Sequence, residues 1–434
     1  MTAEIGILNK NAVALAADSA VTIGIGKDMK VINSANKLFN LSIYEPIGIM
    51  IYSNADYMGT PWEIIIKQYR DRLGKQTFDT VEEYCNDFFE FVFSYEGANS
   101  HVSQMNLAIQ LFLERLRKIL DITNEAIHNT YTTIEPTEEQ VKNILEMKIQ
   151  EYVTNFEKTK SLYSNEKFEF DDYKKEYVST IKDVIEQFIS LDLNDKVIEQ
   201  LVYIGYLAVV KESFLNYTGV VIAGYGEKEI FPSLHEYYVC GSIKGFKKYI
   251  LNDKRNISIE NGCTASISPF AQQEMVHTVV SGIDPSLYNI LNSLIDITTV
   301  DIYSIIKKIN DENNLNLELE GLEKVFYDAG IKIKREITNN IQEEQIKNYI
   351  DPILNMVSML PKDELAQMAE TLVNLTSFKR RITMEAETVG GPIDVAIISK
   401  NDGFIWIKRK HYFNAELNYN YFNKRKGVCN YVSN

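Results

Sequence analysis

Three residues near the start of the chain have the types and order needed for acyl chemistry. Thr2 follows Met1 directly, Asp18 closes the apolar run AVALAAD, and Lys37 sits within NSANKLFNLS. Threonine is small enough for Met1 to be removed after synthesis, and removal leaves Thr2 with a free α-amine. A threonine in that state is a nucleophile that carries its own base. A free α-amine titrates near pH ~7.7–8.0. A neighbouring lysine lowers that value by like-charge repulsion, and an aspartate can hold the lysine by a hydrogen bond. The hydroxyl would then attack a carbonyl while the amine takes its proton. Taken singly, each residue has an ordinary reading. A small second residue is common, an aspartate at a strand end is a turn residue, and a loop lysine is solvated. Their joint placement is what favours chemistry.

Other motifs carry less. GIGKD at 24–28 lacks the spacing of a phosphate loop and has no Ser or Thr after its lysine. The five histidines, His101, His128, His235, His277 and His411, fall in no ligand spacing. The four cysteines, Cys85, Cys240, Cys263 and Cys429, form no CxxC pair. Neither a zinc cage nor a disulfide framework is expected, and the pattern suits a reducing cytosol. There is no GxSxG elbow for an ordinary serine hydrolase. No metal or cofactor is expected.

The elements that must position these residues follow from hydrophobic patterning. EIGIL and AVALAAD, separated by the polar turn NKN, predict a hairpin that brings Thr2 and Asp18 together. IGIMIY at 47–52 predicts a buried strand. A helix is expected from about Thr60, with Pro61 at its first position and Gly74 closing it. Residues 77–195 are nearly free of strand signals. Val141, Ile144, Leu145, Ile149, Tyr152, Val153 and Phe156 recur at helical spacing, as do Val178, Ile181, Ile185 and Phe188. Strands are expected again in GVVIAGYG, YYVCG and CTASISPF, helices over 272–380, and a final hairpin from PIDVAIIS and FIWIKRK around KNDG. Helices segregated from strands in this way predict an α+β protein. The expected organisation is a core of 1–76 and 196–434, elaborated by helices over 272–360, with 77–195 as a helical insertion that holds no catalytic residue.

The chain has 434 residues, 45% of them hydrophobic, which permits a sizeable core. A net charge of −15 disfavours broad electrostatic binding to nucleic acid. No signal peptide is evident, and LVYIGYLAVV is too short to cross a bilayer, so no membrane partner and a cytoplasmic location are expected.

The stretch GILNKNAVALAADSAVTIG…NKLFNLS…IGIMIYSNAD resembles the β-subunits of the proteasome and their bacterial ring-protease relatives, which are N-terminal nucleophile (Ntn) hydrolases. Asp18 lies sixteen positions after Thr2, the family's spacing between nucleophile and aspartate, and Lys37 matches the family lysine in a loop about three residues longer. IAGYG…PSLHEYYV and VGGPIDVAIISKNDGFIWI resemble its later hairpins. The resemblance implies a four-layer αββα Ntn sandwich with a large helical insertion. It implies Thr2 as nucleophile, Lys37 as the residue tuning its amine, and Asp18 as the residue orienting Lys37. Oxyanion and supporting roles fall on Tyr52, Ser53, Glu385 and Thr388, since Val389 stands where the family has a serine before Gly390-Gly391. A further active-site serine belongs near Ser266 or Ser268.

The expected function is a threonine peptidase acting on peptide or protein substrates. A homo-oligomer and an ATP-dependent unfoldase partner are implied by the resemblance alone. Two other readings remain open: an amidohydrolase for small amides on the same fold, and an inactive scaffold that binds a partner.

Overall fold

The computed structural model describes residues 2–23, 30–132, 135–162, 168–260, 262–299, 302–315, 317–319, 321–383, 389–414 and 416–418. In chain order, strands β1 (Ala3–Asn9), β2 (Val13–Ala17), β3 (Val21–Ile23), β4 (Lys30–Ile32), β5 (Leu38–Asn40), β6 (Ile47–Ser53), β7 (Asp56–Tyr57) and β8 (Thr60–Pro61) come first. Six helices follow: α1 (Trp62–Leu73), α2 (Val81–Ser94), α3 (His101–Thr130), α4 (Glu138–Glu157), α5 (Phe170–Phe188) and α6 (Asp195–Val210). Then come β9 (Thr218–Gly224), β10 (Ser233–Ile243), β11 (Phe246–Leu251), β12 (Ile257–Ser258) and β13 (Ala265–Ala271). Helices α7 (Glu274–Ser281), α8 (Pro285–Thr299), α9 (Ile302–Asn313), α10 (Glu323–Gln345), α11 (Asp351–Met359) and α12 (Lys362–Ile382) precede the last strands, β14 (Asp394–Ser399) and β15 (Gly403–Lys408). The protein is therefore α+β, with antiparallel sheets. It divides into two compact units, one of residues 1–35, 259–399 and 405–434, the other of 36–258 and 400–404.

The first unit is built on a five-stranded sheet in the order β13-β1-β2-β14-β15. β1 and β2 are buried along their whole length, on both faces, which is why they read as continuous apolar runs rather than alternating ones. One face packs on helices. Ile5, Ile7, Ala14, Ala16, Val395 and Ile397 meet Leu365, Ala369, Leu372 and Val373 of α12, Val357 of α11 and Val276 of α7. The alanines of AVALAA permit this close approach. Asn9 shapes the NKN turn: its side-chain oxygen accepts from the N–H groups of Asn11 (2.9 Å) and Ala12 (3.1 Å). Its amide nitrogen donates to the carbonyls of Val357 (2.9 Å) and Leu360 (3.0 Å), joining the hairpin to the end of α11.

The second unit carries a sheet in the order β11-β10-β9-β6-β5, with β12 on β10. Its Ile47, Ile49, Ile51, Val220, Ile222, Tyr237 and Val239 pack with Trp62, Ile65, Ile66 and Tyr69 of α1 and with Tyr84, Phe88 and Phe89 of α2. Trp62 is buried, and its indole N–H donates to the Thr218 hydroxyl (3.0 Å). Helices α3 to α6 form a second core with Ile243 and Phe246 at the β10–β11 turn. Their starts are written in the sequence: Thr80 with Glu83 and Thr137 with Gln140 are capping boxes, and Ser100 and Asn194 cap α3 and α6.

Two local expectations change. α1 begins at Trp62, because Thr60 and Pro61 pair with Tyr57 and Asp56 as a short ladder and Pro61 becomes the cap. Phe188, expected on the apolar stripe of α5, is 44% exposed; Ile189, just past the helix end, is buried instead. The expected connection near 157–172 includes residues 163–167, which lie outside the described residues, as does most of the chain after 414.

Gly219 sits directly opposite Tyr52 in the β6–β9 pair, and a Cβ there would stand 2.0 Å from the Tyr52 ring. Gly219→Ala is therefore expected to cost about 1–3 kcal/mol by overpacking. The same substitution in a Tyr52→Ala background should cost far less. Urea denaturation of the four proteins of this cycle checks it.

Candidate active site at the start of the first strand

β1 and β2 pair in the register Glu4–Ala17, so the next residues of each strand, Ala3 and Asp18, face one another at the end of the ladder. The Ala3 N–H donates to Asp18 Oδ1 (3.1 Å), and the Asp18 N–H donates to the Ala3 carbonyl (3.1 Å). Thr2 thus enters the sheet beside the Asp18 carboxyl, and the structure brings these two predicted residues together. On its other side β1 pairs with β13, and the Gln272 N–H donates to the Thr2 carbonyl (3.1 Å). Thr2 is 5% exposed and Asp18 1%.

Asp18 does more than face Thr2. Its Oδ2 accepts from the N–H groups of Gly390 (3.0 Å) and Ala20 (3.3 Å). The Ser19 N–H donates to the Gly390 carbonyl (3.1 Å), the Ser19 hydroxyl donates to the Pro392 carbonyl, and the Ala35 N–H donates to the Ser19 carbonyl (3.1 Å). Three loops, 18–20, 33–35 and 389–392, are fastened together at the head of β1. Gly391 has φ 77°, and a Cβ there would lie 2.9 Å from Asn33 Cβ, so the second glycine of Gly390-Gly391 is required by the approach.

Lys37 lies in the second unit, immediately before β5, where its carbonyl accepts from the Ile51 N–H (2.9 Å). It is 5% exposed, so it is not the solvated loop lysine of the ordinary reading. Tyr52 and Ser53 end β6 in the same unit. The Tyr52 hydroxyl donates to Glu236 Oε1, and Asn252 Nδ2 donates to Glu236 Oε2 (2.5 Å) and to the Tyr238 hydroxyl (2.9 Å). Burial, then the Glu236 carboxylate, hold the Tyr52 phenol far above its ordinary titration, so it stays a donor. Ser53 is exposed and has φ 71°, a left-handed conformation that costs a non-glycine residue about 1 kcal/mol. Glu385 and Thr388 lie outside the described residues.

Sequence reasoning passed over Ser19, Gln272 and Arg380. Arg380 Nε donates to Gln272 Oε1 (2.5 Å), which ties α12 to the residue that pairs with Thr2. Gln272 directly follows the CTASISPF strand, a position that register alone could have flagged. Ser266 and Ser268 face Leu8 and Gly6 of β1, with their hydroxyls 3.3 Å apart. Among the described residues, no group of three or more His, Cys, Asp or Glu side chains is placed to hold a metal ion, and no helix is long and apolar enough to cross a membrane.

No protein-family model and no curated protein matches the chain. Solved structures similar to it include an Anbu mutant from Hyphomicrobium sp. strain MC1, at 8% identity and a TM-score of 0.29 with 100% of each chain covered. Another is Anbu (ancestral beta-subunit) from Yersinia bercovieri, at 9% identity and a TM-score of 0.26, covering 99% of this chain and 98% of that one. Superposition this weak carries neither fold nor activity across. The assignment to the proteasome β-subunits and bacterial ring proteases is corrected: no family model matches the chain, and the solved structures it is similar to are described as Anbu.

Proposed function

We propose that the protein is a hydrolase of amide bonds, peptide bonds foremost, with Thr2 as nucleophile once Met1 is removed. The observation that carries this reading is the placement of Thr2 at the buried head of β1, with the Asp18 carboxyl fixed to the next backbone N–H. In the proposed reaction the Thr2 amine takes the hydroxyl proton as Oγ bonds to the substrate carbonyl carbon. The same proton passes to the leaving amine as the C–N bond breaks. Water then cleaves the Thr2 ester, releasing a carboxylic acid and restoring the hydroxyl. Lys37 is assigned the tuning of the amine. Its burial supports a task other than solvation, since a buried ammonium needs a partner.

The test is intact mass combined with labelling by a β-lactone. Wild type is expected to lack Met1 and to take one label at Thr2. Thr2→Ala should fold and take none, and a non-removable residue before Thr2 should also abolish hydrolysis, because the hydroxyl survives but the free amine does not. Hydrolysis at the wild-type rate by either variant sinks the mechanism and favours a scaffold.

Lys37→Ala is expected to abolish peptide or amide hydrolysis while the far-ultraviolet circular dichroism is retained; undiminished turnover refutes its role. Asp18→Asn should lower stability by about 1–3 kcal/mol, because one acceptor oxygen is replaced by an NH2 group facing backbone N–H donors. Chemical denaturation reads this directly, and a stability equal to wild type would mean that the carboxylate does not hold the start of β1, the turn after β2 and the Gly390 segment together.

A further inference from the structure

The second unit contains a cavity of about 350 Å³ that belongs to none of the chemistry above. Its walls come from the segment after β6 (Asn54 to Gly59), from α3, and from the chain around the starts and middles of β9 and β10. Along α3, Ser103, Asn106, Leu107, Gln110, Leu111 and Glu114 recur at intervals of one turn and face it together. An adjoining depression of about 230 Å³ shares Asn106, Gln110, Glu114 and Asn216 with it and adds Arg117.

The cavity has two kinds of wall. Met58, Leu107, Leu111 and Val239 are apolar. Opposite in character are the amides of Asn106 and Gln110 at the exposed rim, and Asn216 and Glu114 further in. Asn54 Nδ2 donates to Asn216 Oδ1 (2.8 Å), which fixes the orientation of that inner amide. Both Glu114 carboxylate oxygens are buried and make no hydrogen bond of good geometry among the described residues, although the Asn216 amide lies close enough to act on them as a donor. A buried acceptor pair short of donors is costly unless something supplies them.

The charges around the carboxyl select what can do so. Arg115, Lys248 and Arg117 all lie close enough to act on Glu114. Arg115 donates to the Ser213 carbonyl through Nη2 (3.0 Å), its Nε making no hydrogen bond among the described residues, and Lys248 donates to the carbonyls of Val209 (3.3 Å) and Lys211 (2.8 Å); their field disfavours a further cation. Glu114 and Asp56 disfavour an anion. A neutral N–H donor escapes both penalties. Burial pushes the Glu114 carboxyl up to about 7, while Arg115, Asn216, Lys248 and Arg117 act in the other direction.

We propose that this cavity is a binding site for a neutral carboxamide or peptide unit on a short aliphatic body. The amide N–H groups donate to Glu114, the aliphatic part lies along Leu107, Leu111 and Val239, and the rim amides bond the remaining carbonyl. A cavity of this size takes a fragment of one or two residues. The proposal does not depend on the chemistry assigned to Thr2.

The probe is N-acetyl-leucinamide, titrated by calorimetry into the full chain and into its Thr2→Ala variant, with isobutylamine and isovalerate as charged counterparts. Saturable binding of the amide, equal in the two proteins and tighter than either charged probe, is expected. Glu114→Leu should weaken it about tenfold or more. Gln110→Trp, at the exposed rim, should block it without touching the buried wall. The proposal is overturned if the amide does not bind, if it binds only when Thr2 is present, if a charged probe binds more tightly, or if both cavity variants bind it like wild type.

Discussion

The head of the first sheet hangs on one buried carboxylate. Asp18 is almost fully removed from water, and an ionised group in that position is tolerable only when its oxygens are met by donors. They are met by the backbone N–H groups of Ala3, Ala20 and Gly390, which come from the start of β1, the turn after β2 and the approach to β14. Three chain segments remote in sequence are therefore registered against a single side chain. The entry angle of β1, and with it the position of Thr2, follows from that registration. A strand end is ordinarily the frayed part of a sheet; here it is cross-braced, with Gln272 closing the other side.

Much of this was legible in the sequence. The β1–β2 hairpin could be read from two apolar runs flanking Asn9 to Asn11, because Asn9 is the residue that folds its own turn. The α4 stripe could be read because Leu145, Ile149 and Val153 repeat at one helical turn and stay buried. What could not be read was contact made through backbone groups. Gly390 N–H reaches Asp18 across most of the chain, and Gln272 meets Thr2 only through strand register. No residue type advertises such bonds. The Thr60–Pro61 ladder was missed for a related reason, since Pro61 suits a helix start and a helix cap equally. Family assignment from short motifs went too far: an apolar run ending in an aspartate is a property of strand ends as well as of one family.

The second unit solves a different burial problem. Glu236, in the middle of a sheet, is 1% exposed, and it survives there because Tyr52 and Asn252 donate to it. Tyr217 and Tyr238 pack nearby at a tilt, with ring centroids 4.4 Å apart. The tyrosines supply apolar bulk and a polar tip at once, which lets one sheet carry an acid without losing its packing. Gly219 makes room for the Tyr52 ring that reaches it.

The placement of the two tryptophans gives the protein a built-in optical label for each half. Trp62, closed in by Phe88 and Tyr57 and bound to Thr218, belongs to one compact unit. Trp406 belongs to the other and lies partly open on β15, with the Arg409 guanidinium 4.4 Å from its ring centre. A sheltered indole emits at shorter wavelength than a wet one. The blue edge of the intrinsic emission therefore belongs to one sheet and the red edge to the other. Melting of the two units is separable by colour in the unlabelled chain.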